Sequence, residues 1–117
     1  MTHKPAWPTH LATAVAALAN DQRATLAACA RLNAACREGE REGAFWLSVA
    51  RLLESADVDS AAAVRPAAAN MSVDTRHALA NALHAARNLL AIASPAVADF
   101  WDEILFTVRF AGQRVAA

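Results

Sequence analysis

Glycine is scarce in this chain, with 3 residues in 117, and tyrosine is absent. Aromatic residues make up only 6%. Strands draw on aromatic and β-branched residues and tight hairpins on glycine, so this poverty argues against many strands and turns. Lysine is nearly missing too: Lys4 stands beside ten arginines, a bias read as the mark of a GC-rich, bacterial genome. Charge of either sign is not in excess, because 11 basic residues balance 11 acidic ones. Nucleic-acid binders carry a basic face, so a balanced chain lowers the expectation of one. No apolar run approaches the ~20 residues of a membrane span. Cysteine is limited to Cys29 and Cys36, which are expected to be reduced in a cytoplasmic setting.

Alanine fills the space these residues leave, with 33 copies. Alanine is the best helix former, so the composition points to an all-α fold. A length of 117 residues suits one domain with a sizeable core.

Residues 1–8, MTHKPAWP, read as an extended arm. Lys4 followed by the apolar stretch Leu11 to Leu18 and by Ala17-Leu18-Ala19 imitates a secretory leader, but Pro5 and Pro8 fit that reading poorly. A helix over residues 9–38 is preferred, with Pro8 or Thr9 opening it. Leu11, Val15, Leu18, Gln22, Thr25, Cys29, Leu32 and Cys36 recur in steps of four and three, a heptad-like seam. Asn20 and Asp21 could cap a second helix, but the unbroken phase favours one helix of ~30 residues. On this seam Cys29 and Cys36 are small buried packing residues.

A polar turn over residues 38–43, with Gly39 suited to a left-handed position, leads to a second helix over residues 42–55. Phe45, Val49 and Leu52 form its stripe, widened by Trp46 and Leu53. Residues 57–71 read as a loose connection, because Pro66 stops a long helix; Asp59 or Ser60 could start one short turn. A strong helix follows over residues 72–93, capped by Ser72 and with Asp74 in its first turn. Leu79, Leu83, Ala86 and Leu90 share a face with Ala82, Leu89 and Ala93. Ala78, Ala85 and Ile92 widen it to about half the circumference, which predicts a central packing element. His77, Asn81, His84 and Asn88 line the opposite side. Ser94 and Pro95 end this helix and cap a last one over residues 95–113, so the two form a tight antiparallel hairpin or a sharp corner. The expected architecture is a four-helix antiparallel bundle.

Catalytic motifs are not found. There is no glycine-rich phosphate loop, nucleophile elbow or zinc-protease motif, and no Glu-x-x-His pair of the kind that holds di-iron centres. The acidic group Asp99, Asp102 and Glu103 fits the start of a helix. A shared Cys–His metal site is disfavoured because the cysteines lie on a core seam and the histidines on the far face of theirs. Neither a cofactor nor a metal is expected.

The last helix holds the most informative departure from pattern. Val97, Trp101, Ile104, Val108 and Ala111 complete its core stripe, flanked by Phe100 and Leu105. Phe106 and Phe110 point 180–220° away at ~100° per residue, among Asp99, Glu103 and Arg109. Apolar centres with charged rims mark interfaces. Phe106, Phe110, Glu103 and Arg109 are therefore the expected contact residues of a non-enzymatic interaction protein, a homodimer or a binder of another protein. The alternative is a bundle that binds a small ligand or metal through His77, His84 or an alanine-lined pocket.

Overall fold

The computed structural model describes residues 7–90 and 94–111, with backbone alone at Trp7, Leu89 and Leu90. The 1–6 part of the expected arm lies outside these residues. So do Ile92, Ala93 and the expected continuation of the last helix to residue 113.

The described residues are all-helical, and they form six helices rather than the four expected. These are α1 (Trp7–Ala16), α2 (Asn20–Cys36), α3 (Arg41–Ser55), α4 (Val58–Ala69), α5 (Val73–Leu90) and α6 (Pro95–Phe110). Among the described residues no helix is long and apolar enough to cross a membrane.

Two local features account for the extra helices. The expected 9–38 helix breaks at Ala17–Ala19, where Leu18 N–H donates back to Val15 O at 3.1 Å and Ala19 turns extended. The Gln22 side chain holds the break: its Oε1 accepts from Ala19 N–H at 3.0 Å and its Nε2 donates to Ser94 Oγ at 2.9 Å. The stretch expected as a loose connection is α4. Asp57 caps it by accepting from Ser60 N–H at 2.7 Å, and Ala61, Val64 and Ala68 are buried along it. Pro66 sits inside α4 instead of ending it. The missing N–H costs one internal bond, and the buried face outweighs that loss.

The break also resets the phase of α2. Its inward face is Ala27 and Ala30, with Ala34 half-buried, on the side of the helix opposite the expected seam. Cys29 and Cys36 are consequently exposed, not core residues, and Leu32 is 66% exposed.

The helices pack in an order unlike their order in sequence. α1, α3, α4 and α6 share the centre; α2 lies mainly on α3, and α5 mainly on α6. Their buried side chains form one hydrophobic cluster, in which Leu11, Phe45, Leu52, Phe100 and Ile104 are fully enclosed. The stripe expected for residues 42–55 is buried as read, Trp46 and Leu53 included. α5 is not the central element. Among its described side chains only Leu79, Ala80 and Leu83 are buried, while Ala78, Ala82 and Ala85 face solvent, because a flanking helix has one main neighbour.

Turn chemistry fixes the corners. Gly39 adopts φ +85, and a Cβ on Gly43 would stand 2.1 Å from Arg37 O, so α3 can begin this close to the end of α2 only with glycine there. Arg37 and Glu42 pair across the same corner at 2.8 Å. Ser72 Oγ accepts from Thr75 N–H at 3.1 Å, and Ser94 caps α6 with Pro95 in its first turn, both as the sequence indicates. Arg87 makes a two-armed contact with Asp102, at 2.8 and 3.2 Å, near the α5–α6 turn. The same two helices meet again at their far ends, where Val73 and Val108 line one groove. The pair is an antiparallel hairpin.

Candidate functional site

α6 presents three environments around its circumference. Its inner side, from Val97 and Phe100 to Ile104, Leu105 and Val108, is buried. Thr107 is buried with them and satisfies its hydroxyl by donating to Glu103 O at 2.8 Å. Its outer side carries Phe106 and Phe110, which are 51% and 40% exposed. Their ring centroids are 4.8 Å apart with planes tilted by 49°, as expected for aromatic residues one turn apart. The rings touch each other and are not drawn into the core.

The flanks of this outer face differ in sign. Toward α1, Asp99, Asp102 and Glu103 line a groove of about 680 Å³ shared with Thr9, His10 and Thr13. Burial raises the Glu103 carboxyl above its ordinary value, and Asp102 and Asp99 add to this while His10 opposes it. Toward α5, Arg109 joins Arg76, His77 and Asn81 around a second groove of about 420 Å³, floored by Ala80 and Val108. By the helical wheel Glu103 and Arg109 lie about 60° to either side of Phe106. The four residues expected at a contact thus form one strip: two rings in the centre, a carboxylate on one flank and a guanidinium on the other.

The histidines are not brought together. His77 lines the α5–α6 groove, while His84 lies two turns on, 3.3 Å from the Asn88 amide. The cysteines are on α2, which packs mainly against α3, whereas these histidines are on α5, which packs mainly against α6. Among the described residues no group of three or more His, Cys, Asp or Glu is arranged to hold a metal ion.

Three groove residues were not visible as a group in the sequence: Arg76, Asn81 and His10. Asn81 reads as one member of a polar ridge, and Arg76 as an ordinary charge. Their juxtaposition with Arg109 and the acidic residues of α6 depends on helix neighbours, which periodicity alone does not specify. The antiparallel α5–α6 hairpin was the available signal, since it sets the start of α5 beside the end of α6. Comparison with family models, curated proteins and solved structures gives no match for this chain.

Proposed function

We propose that this protein is a non-enzymatic helical interaction module that pairs with a second copy of itself through the outer face of α6. The observation that carries this reading is the exposed Phe106–Phe110 pair on a helix whose own core stripe is already buried. Fully burying a phenylalanine contributes roughly 1.5–3 kcal/mol, and with each ring about half-exposed in the single chain, four rings from two chains supply roughly half of that apiece toward the cost of association.

An antiparallel twofold pairing centred at Phe106 sets the two ring pairs face to face, the self-complementary arrangement that a twofold interface requires. Glu103 and Arg109, on opposite flanks of the rings, form its charged rim.

Sedimentation at micromolar concentration tests this. The parent is expected to run as a dimer, and the double variant Phe106→Ser, Phe110→Ser as a folded monomer. A monomeric parent refutes self-association. A double variant that unfolds places both rings in the core.

A further inference from the structure

We infer that the groove between the start of α5 and the end of α6 is a binding site for a small organic anion, a compact apolar body bearing one phosphate or carboxylate group. This goes beyond the pairing of α6: Arg109 borders both surfaces, while Arg76, His77 and Asn81 belong to the groove alone.

The groove gathers Arg76, His77 and Arg109, and no acidic residue lines it. In a chain of zero net charge this is a sorted arrangement, since Asp99 and Glu103 line the other groove of α6 and Asp102 is paired with Arg87. Arg31, Arg37 and Arg87 each meet a carboxylate. The side chains of Arg76 and Arg109 make no ion pair or hydrogen bond with another described residue. Two guanidinium groups held at one groove repel, and an oxyanion between them converts that repulsion into paired, charge-assisted hydrogen bonds. Arginine suits this task because its planar fork matches phosphate and carboxylate.

The rest of the groove defines the remainder of the ligand. A volume of about 420 Å³ falls within the range of small-molecule sites and exceeds what one inorganic phosphate fills. Ala80 and Val108 are buried and form an apolar floor, with Val73 at its edge. The Asn81 amide supplies both a donor and an acceptor at the rim. An apolar body therefore rests on the floor while its anionic end meets the arginines.

The probes are phenyl phosphate, benzoate, phenol and inorganic phosphate, each titrated into the full chain and followed by amide chemical shifts. Phenyl phosphate is expected to give saturable shifts at Arg76, His77, Asn81 and Arg109, and to bind at least tenfold more tightly than inorganic phosphate or phenol. Benzoate separates the two anion chemistries; tighter binding of phenyl phosphate is expected because two arginines favour the dianion. Arg76→Ala should weaken phenyl phosphate at least tenfold. Asn81→Asp, an exposed change that sets a carboxylate at the rim, should do the same without disturbing the fold. Phe106→Ser should leave binding intact, so failure of the pairing and failure of the groove are distinct results. Absence of saturable shifts, equal affinity for phenol and phenyl phosphate, or unchanged affinity in both Arg76→Ala and Asn81→Asp would overturn the assignment.

Discussion

Gly43→Ala is the sharpest test of the fold, because two effects of opposite sign meet at one residue. Gly43 is the third residue of α3. In an unobstructed helix, replacing glycine with alanine stabilises by about 1 kcal/mol. Here the added methyl would lie 2.1 Å from Arg37 O, 2.9 Å from Arg37 C and 3.3 Å from Ala34 O. All three are backbone atoms, so no side chain can swing aside. The end of α2 and the start of α3 must separate by roughly an ångström, at an overpacking cost of about 1–3 kcal/mol. The Arg37–Glu42 pair spans the same corner and is strained by the same movement. The expected result is a net loss of up to about 2 kcal/mol, which lowers the urea midpoint by up to about 1 M at an unchanged slope. Gly39→Ala provides the contrast. No described neighbour stands within 4 Å of that position, and its φ of +85 opposes a side chain. It should cost about 1 kcal/mol, and Gly39→Asn less, since asparagine tolerates the left-handed region. A Gly43→Ala variant more stable than the parent would refute the close approach of α2 and α3.

Further outcomes follow from local geometry. Ala56 ends α3 at φ 57, where alanine is strained, so Ala56→Gly should raise the thermal midpoint, by an amount corresponding to about 1 kcal/mol. Cys29 and Cys36 are exposed and should react with a thiol reagent in the native protein at the rate of an unfolded control; protection of both would restore the buried seam. Asp57 is held below the usual carboxylate range by the Ser60 N–H it accepts. Its folded form favours ionisation, so its contribution is present above the unfolded value and lost as pH falls through the lower folded value. The stability difference between the parent and Asp57→Ala should hold from neutral pH down to about 4 and shrink below it. A difference that grows in acid would show that the cap is not formed.

Legibility along the chain followed side-chain size. Where large apolar residues mark the inward face, as with Phe45, Val49 and Leu52 in α3 or Val97, Ile104 and Val108 in α6, the faces are where the wheel puts them. Where alanine carries the core, the pattern goes flat. Ala61, Val64 and Ala68 bury α4, but Ala62, Ala63 and Ala69 beside them are exposed, and nothing in residue type separates the two sets. With the face unmarked, Pro66 became the strongest local signal and pointed to a connection. α2 failed for the same reason. Its true contacts are Ala27 and Ala30, and the larger Leu32 and the cysteines lent a false seam to the opposite side. The hint of a break lay in a polar residue, Gln22, whose capping of Ala19 shows only once its bond to Ser94 is known.

The same contrast bears on what can be read as a site. Phe106 and Phe110 were recognisable because they are large residues out of phase with a clearly marked stripe. The anion groove was not, because it is made by two helices, each offering an unremarkable arginine. Had α5 been the central helix, neighbours on several sides would have covered Arg76, His77 and Asn81, and the basic groove could not exist. Its flanking position leaves those residues uncovered and sets them beside Arg109 of its one main neighbour. The opposite flank of α6 closes on α1, where His10 faces Asp99, Asp102 and Glu103. A neutral chain thereby acquires a basic groove toward α5 and an acid-lined groove toward α1, with Asp102 reached by Arg87 of α5. That arrangement follows from which helices neighbour α6, and it was out of reach of any reading of α6 alone.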